Sequence, residues 1–463
     1  MPVALAVVII LLVIGSLIFH FASPWYFTEI ASQWGLIDTT VDITFWVTGI
    51  AFVIVNLFTA YCILKFRHKP GRKAHYEPES HKLEFWLTVG TAVGVVLMLA
   101  PGLIAWGDFV RVPEGAMRAE ALGKQWSWTY RFPGDDGQFG NTDVRQMTAD
   151  NPMGVDPADP AGADDIIVRE PILHLPLEQD THLLLRSTDV LHNYTVPQFR
   201  VKMDLVPGMV TYQWFRPTVA GTYEVLCEEL CGVGHFAMRS KVVVETQEDF
   251  DAWLDAQPTF AETQARPAGV AADGATLYGV CATCHGQNGE GIPPAAGAEL
   301  TGNNGPKLAG QEDWYLRRQI GHFQGGIRGT QDPISQLMVG MVAVLNTPET
   351  TENVIAYIES LPDQPAPATI TGDVDRGREL YQTCGLCHGA AGDGNWNANA
   401  PRLAGMSDWY LARQLNLFKQ EDRSARRGGH PNDIYGDQMN LLAGMLRDED
   451  DINDVIAYIN TLP

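Results

Sequence analysis

Cys227-Glu-Glu-Leu-Cys231-Gly-Val-Gly-His235-Phe-Ala-Met238 places two thiols, an imidazole and a thioether within one short segment, and Asp189-Val-Leu-His192 offers a second imidazole upstream. Soft and borderline donors of this kind suit copper far better than magnesium or calcium. The set exceeds the one Cys, two His and weak Met of a single blue-copper centre, and the second thiol allows two sulfurs to bridge two metals. A Cys227–Cys231 disulfide, a zinc site and the C-x-x-x-C pocket of a copper-assembly factor compete with this reading, but none of them requires Glu229, His235 and Met238 at these offsets. Around the segment, Met209-Val-Thr-Tyr-Gln-Trp-Phe215 and Ser240-Lys-Val-Val-Val-Glu245 carry strand patterning. With intervening turn residues, they predict an all-β sandwich.

Downstream, Cys281-Ala-Thr-Cys284-His285 and Cys384-Gly-Leu-Cys387-His388 are both C-x-x-C-H, the attachment pattern of c-type haem. Two thiols one helical turn apart reach the two vinyl groups of one porphyrin, and the next residue turns its imidazole to the iron. A thioredoxin-like redox pair would leave both histidines unexplained. The motifs belong to an internal repeat: Pro306-Lys-Leu-Ala-Gly-Gln-Glu-Asp-Trp-Tyr-Leu316 matches Pro401-Arg-Leu-Ala-Gly-Met-Ser-Asp-Trp-Tyr-Leu411, and Val354-Ile-Ala-Tyr-Ile358 matches Val455-Ile-Ala-Tyr-Ile459. Two similar domains, 270–362 and 370–463, are expected. The Pro/Ala-rich stretches 256–269 and 363–369 before them read as linkers. Aligned backwards from Pro362 and Pro463, the repeats share Met338 and Met439, whereas Met341 falls on Leu442 and Met445 on Val344. The shared pair is expected to supply the sixth iron ligands, raising the potential relative to two imidazoles. Core methionines on an amphipathic helix are the alternative, with His322 and His430, in Gly-rich loops, as substitute ligands. Each repeat ends in a helix closing with Ala-Tyr-Ile and Leu-Pro, and so resembles the all-α class I cytochrome c domain. That resemblance implies His285 and His388 as proximal ligands, and Met338 and Met439 as distal ones.

The thiol-rich segment resembles the binuclear CuA site of cytochrome c oxidase subunit II. Gly123-Lys-Gln-Trp126-Ser-Trp128 is similar to the family's aromatic stretch, and Val201-Lys-Met-Asp204-Leu-Val-Pro-Gly208 to the strand after its first His. The resemblance spans 40–255, and with the haem repeats the chain resembles the variety fused to cytochrome c, extended to two haems. It implies a cupredoxin-like Greek-key domain over 107–255. His192, Cys227, Cys231, His235 and Met238 would hold the copper pair by side chains and Glu229 by its backbone carbonyl. The Glu229 carboxylate would face subunit I and bind magnesium or manganese there. Trp126 would lie where electrons arrive, with a packed aromatic as the alternative. Asp204 would lie near the subunit interface or be a plain surface acid. Glu84 would stand at the mouth of a proton path into subunit I. At Glu84-Phe85-Trp86 the chain departs from the family, which commonly has two residues between that Glu and Trp, and a helix-start acid complementing the dipole is the alternative.

Upstream, the apolar runs 3–22, 43–64 and 85–106 are each long enough to span a bilayer. The first contains no Lys or Arg and is followed by no small-x-small cleavage signal, so it reads as a retained helix rather than a signal peptide. Segment 65–83 holds Lys65, Arg67, Lys69, Arg72, Lys73 and Lys82, whereas 23–42 holds no base. The basic loop is therefore cytoplasmic, and everything after residue 107 lies outside, in the periplasm of an inner membrane. Acids and bases balance over 1–106, so the net charge of −23 on this 463-residue chain belongs to the exterior part. Such a field repels nucleic acid and steers a basic partner, unless it is only a solvated surface. Hydrophobic residues at 46% and charged residues at 19% exclude a disordered chain. Segment 134–166, rich in Asp against the single Arg145, reads as a solvated loop, with calcium binding as an alternative that lacks EF-hand spacing.

Together these features predict a multidomain chain of transmembrane helices, a copper-binding β-domain and two haem domains: an electron relay with no substrate pocket. Among the apolar runs only His20 could ligate a catalytic metal. Oxygen reduction is therefore assigned to a partner, subunit I of a haem-copper oxidase with subunit III beside it, fed by a cytochrome c or another donor. A nitric oxide reductase using a similar subunit is the second reading. A membrane-anchored copper-delivery or redox-sensor protein is the reading from another class. The 12 histidines cannot furnish both this relay and the seven-His cluster of a nitrous oxide reductase.

Overall fold

The computed structural model describes every residue except 24–26, 74, 75, 77, 169, 296, 297 and 331. Helices α1 (Pro2–Ala22), α2 (Gly35–Lys65) and α3 (His81–Phe109) come first. With mean hydropathies of 3.0, 2.2 and 2.1 and almost entirely exposed side chains, they present the surface expected of lipid-facing helices. α2 and α3 extend beyond the apolar runs 43–64 and 85–106, because backbone hydrogen bonds propagate a helix through polar residues that an apolar count leaves out. α1 packs on α2, and α2 on α3.

The strands are β1 (Met117–Lys124), β2 (Ser127–Phe132), β3 (Ile166–Val168), β4 (Ile172–Pro176), β5 (Thr181–Ser187), β6 (His192–Val196), β7 (Val201–Leu205), β8 (Thr211–Phe215), β9 (Gly221–Cys227) and β10 (Arg239–Glu245). They form two sheets, β3-β2-β1-β5-β8 and β4-β10-β9-β6-β7. The pairs β1–β5 and β4–β10 are parallel and the others antiparallel. β5 buries every second residue, the mark of a strand with one face on a core. Trp128, Tyr130, Leu183, Tyr194, Phe215 and Val242 fill the space between the sheets. The sandwich expected from the patterning is present. β8 starts later than its apolar run, since a positive-φ Gly208 turns the chain and Met209 N bonds back to Val206 O.

Trp34, just before α2, is buried in this core. Its Nε1 donates to Trp214 O (3.1 Å), Trp214 Nε1 donates to Asp108 O (3.0 Å), and Arg200 forks onto Asp38 at 2.6 and 2.8 Å. The sandwich is thus fastened to both α2 and α3 where the helices leave the apolar zone.

After α4 (Gln247–Asp255) and α5 (Phe260–Gln264), two four-helix sets repeat: α6 (Ala271–His285), α7 (Asp313–Gln324), α8 (Pro333–Met341) and α9 (Pro348–Ser360), then α10 (Val374–His388), α11 (Asp408–Phe418), α12 (Ile434–Ala443) and α13 (Glu449–Ile459). In each set the first helix packs on the last. Gly274 and Gly377 permit that contact, since a Cβ on either would lie 1.9 Å from the carbonyl oxygen of Asn353 or Asp454.

Neither supposed linker is loose. Stretch 256–269 carries α5, closed by a Thr259–Glu262 capping box, and buries Phe260 against Leu122, Met153 and Val155. In 363–369, Asp363 accepts from Lys307 (2.6 Å) and Arg402 (2.6 Å), one from each four-helix set. Composition registers weak intrinsic structure but not the neighbour that orders a segment. Likewise, segment 134–166 folds through two 3-10 turns, Val144–Gln146 and Pro160–Gly162. Several of its carboxylates are engaged individually: Asp165 with Arg131, Asp150 with Arg266 and Asp159 with the Asn141 backbone amide.

Candidate metal centres

His192 opens β6 and Cys227 closes β9, strands whose register sets Tyr194 opposite Cys227. The chain then loops through Cys231 and a 3-10 turn at His235–Ala237, and Met238 leads into β10. The loop brings the donors together. Cys227 Sγ lies 3.9 Å from His192 Nδ1, 3.8 Å from Cys231 Sγ and 3.3 Å from the Glu229 carbonyl oxygen. Cys231 Sγ lies 3.5 Å from His235 Nδ1 and 3.8 Å from Met238 Sδ. Among the described residues, His192, Cys227 and Cys231 are the group of His, Cys and acidic side chains with mutually adjacent donor atoms. The sulfur separation is far beyond a disulfide bond of about 2.05 Å, and both cysteines are free.

These donors fit a copper pair: two sulfurs facing each other, an imidazole beyond each, and a thioether and a carbonyl at the flanks. Without metal, the thiol contact holds Cys227 well below the usual thiol range and pushes Cys231 up. Binding both as thiolates therefore displaces a proton.

The surrounding residues orient this set. Asp189 Oδ1 lies 2.8 Å from His192 Nε2, which fixes Nδ1 as the nitrogen facing the sulfur. Gln125 Nε2 (2.6 Å) and Trp126 Nε1 (3.2 Å) both donate to the Cys231 carbonyl. Gly234 makes room for the indole, since a Cβ there would come within 2.4 Å of Trp126 Cδ2. Sequence reasoning assigned no role to Asp189, Gln125 or Gly234. For Asp189, the i, i+3 spacing to His192 was the available signal. Asp204, on β7, accepts from Asn193.

Each C-x-x-C-H motif ends a helix, at the close of α6 and of α10. His285 Nδ1 donates to Pro306 O and His388 Nδ1 to Pro401 O, both at 2.7 Å, so each Nε2 is left for iron. Burial pushes both histidines below their usual range and keeps them neutral, the ligating form. Pro306 and Pro401 begin the matched repeat segments, so the repeat had marked both without revealing their task. One continuous cavity of about 680 Å³ is lined by Cys281, Cys284, His285 and Met338, and by Cys384, Cys387, His388 and Met439. Its size and thiol-edged lining fit flat apolar macrocycles. Met341 and Met445 also reach it, although Met445 is 54% exposed.

His322 corrects an expectation: it sits inside α7 rather than in a Gly-rich loop, and its Nε2 pairs with Glu170 Oε1 at 2.8 Å. α7 runs on through Gly321 and His322 and stops at Gln324, where Gly325 caps it and Gly326 takes a positive φ. His430 Nδ1 accepts from Asn432 N.

The cavity is braced across the repeat. Arg328 lies over Phe323 and bonds Gln319 and Tyr410, while Arg427 lies over Phe418 and bonds Gln414 and Tyr315. Each arginine thus serves its own domain and reaches a tyrosine of the other. Glu84 stands apart, in the first turn of α3 and 3.9 Å from His81 Nδ1.

Comparison with known proteins agrees with this division. Residues 117–246 match the family described as cytochrome c oxidase subunit II, periplasmic domain, and residues 271–362 and 374–463 each match cytochrome c. An alternative cytochrome c oxidase subunit 2 of Bradyrhizobium diazoefficiens is 54% identical over 269 residues, 58% of this chain and 97% of that protein. The cytochrome c oxidase subunit 2 of Cereibacter sphaeroides is 28% identical over 229 residues, 45% of this chain and 74% of that protein. Among solved structures, reduced recombinant cytochrome c4 from Pseudomonas stutzeri is 26% identical, with a TM-score of 0.32, over 42% of this chain and 100% of that one.

Proposed function

The chain belongs to the cytochrome c oxidase subunit II family, and from that premise we propose that it is the electron-transfer subunit of an inner-membrane haem-copper oxidase, with its copper and haem domains in the periplasm. When bound, a binuclear copper A centre and two covalent haems c supply one-electron exchange between a donor such as a cytochrome c and the oxygen-reducing, proton-moving subunit I, beside which subunit III sits. Cys281 and Cys284 would anchor one haem covalently, with His285 and Met338 as its iron ligands. Cys384 and Cys387 would anchor the other, with His388 and Met439 as its iron ligands. His192, Cys227, Cys231, His235, Met238 and the Glu229 carbonyl hold the copper pair. The Glu229 carboxylate takes magnesium at the subunit I interface, Trp126 carries electrons toward the copper ligands, and Glu84 stands at a proton path.

The protein's own groups do the orienting. Asp189 and the Pro306 and Pro401 carbonyls set which imidazole nitrogen is free, and His192, Cys227, Cys231 and Met238 are buried and fixed at the end of the sandwich, so little reorganisation accompanies electron gain or loss. The observation that carries the reading is the convergence of two free thiols, two imidazoles and a thioether on a chain that also lines one cavity with two C-x-x-C-H motifs.

Purified complex is expected to contain two copper ions and two covalent haems per chain, to show the near-infrared band of a delocalised copper pair, and to consume oxygen rather than nitric oxide. Labile single copper, a missing band or fewer than two covalent haems overturns it.

A further inference from the structure

The C-terminal cytochrome c domain is seated on the face of the sandwich that carries Trp126. Its 3-10 turn Trp396–Ala398 meets the end of β1, where Lys124 Nζ donates to Asn397 Oδ1 at 3.1 Å and lies 5.0 Å from the centre of the Trp396 ring. Asn399 Nδ2 donates to Ser127 Oγ at 3.3 Å, and Gln438 Nε2, on α12, donates to the Trp126 carbonyl at 2.7 Å. α12 also rests on β10 and on the 3-10 turn that begins with His235, and Lys241 donates to the Pro431 carbonyl.

Two features make this more than casual contact. Lys124 is 2% exposed, and its ammonium finds an acceptor on the other domain, the arrangement a buried cation requires. Trp126 bonds to both sides: its indole N–H donates to the copper-ligand loop at Cys231, and its carbonyl accepts from the second cytochrome c domain. The first cytochrome c domain meets the sandwich elsewhere, through His322 on Glu170 and Arg317 near Asp150. It meets the second domain across the shared cavity, through the reciprocal arginine–tyrosine braces.

We propose that this seat is a built-in docking surface: through Lys124, Trp126 and Ser127, the copper-binding domain receives electrons from the second cytochrome c domain, and a separate donor protein is met by the first. The proposal rests on the electron-transfer reading above and adds to it the order of the two haem domains and the residues that impose it. Each transfer moves one electron, supplied by the donor, oxidising a ferrous haem to ferric as the copper pair gains that electron. No bond is made or broken. The chain's own domain thus holds the Trp126 backbone and its neighbours Lys124 and Ser127, and occupies part of the face a soluble donor would need.

The test uses the full-length chain in its complex. Asn397→Lys sets a second ammonium against Lys124, while Asn397→Asp offers a better acceptor at the same place. The lysine variant is expected to increase hydrogen exchange in 124–128 and to slow copper reduction after photochemical reduction of the haems by about tenfold, a like-charge penalty across an interface. Its haem content and its haem reduction by a donor cytochrome should match the unaltered chain. The aspartate variant should retain protection and rate, which shows that substitution at Asn397 is not itself disruptive. Unchanged exchange and unchanged copper reduction in Asn397→Lys overturn the seat. So does a donor that reduces the copper pair before either haem. An unaltered chain lacking copper or haem overturns the reading beneath, a result told apart by metal and haem assay before any kinetics.

Discussion

Asp189 Oδ1 lies 2.8 Å from His192 Nε2, and that one bond decides which ring nitrogen of His192 faces Cys227. The same carboxylate accepts from the Gln125 backbone amide at 2.6 Å, tying His192 to the aromatic stretch beside it. Removing such a partner costs a metal site about 10–100-fold in affinity. Asp189→Ala is therefore expected to lower copper retention by that order under competition with a chelator, while both haems stay attached. Copper-to-haem ratios after dialysis measure it, and equal retention would show that the sandwich alone positions His192.

The facing thiols give a second outcome. With Cys231 replaced by Ser, the remaining Cys227, His192, His235 and Met238 are the donors of a single-copper centre. Cys231→Ser is expected to hold at most one copper ion and to lose the near-infrared band, with haem absorbance unaltered because the haem motifs lie in separate helical domains. Retention of the band would mean that the sulfurs do not both bridge.

How much of this was legible in the sequence depended on how local each contact is. Cys227, Cys231, His235 and Met238 fall within one loop, and Cys281 to His285 within one helical turn, so linear spacing already encodes their geometry. His192 joins its site through the pairing of β6 with β9, which a motif only implies. Phe260, by contrast, looked like linker because its partners Leu122 and Val155 are far off in sequence. The seat of the second cytochrome c domain was invisible for the same reason: Asn397, Asn399 and Gln438 are polar residues of no motif, and their meaning appears only when Lys124, Ser127 and Trp126 stand opposite. His322 looked loop-borne because nearby glycines were weighed above the helical pattern of Asp313–Gln324.

Arg427 and Arg328 line the cavity that holds both haem motifs. A cation beside a haem stabilises its reduced form, whose net charge is one unit more negative. Arg427→Gln is expected to lower the potential of at least one haem by about 60 mV, a tenfold change in a one-electron equilibrium. Spectroelectrochemical titration separates this from a structural defect, because haem content and the copper band should not change. A potential that does not move would make the arginine a brace between domains and nothing more.

Burial pushes Lys124 down to about 8, against the raising influence of Asp189. Unfolded, the same ammonium keeps an ordinary pKa near 10.5. Below pH 8 both states are charged and the folded chain bears the full desolvation cost. Between about 8 and 10.5 the unfolded state binds the extra proton, so stability attributable to this group rises with pH, by about 3 kcal/mol at most. Lys124→Met, similar in length and uncharged, removes that dependence. Its thermal midpoint relative to the unaltered chain should be highest near pH 7 and decline toward pH 10, even as the loss of the bond to Asn397 loosens the neighbouring domain. Parallel midpoints across that range would mean that Lys124 keeps its ammonium hydrated in the folded chain, and that Asn397 alone is too weak a partner to define the seat.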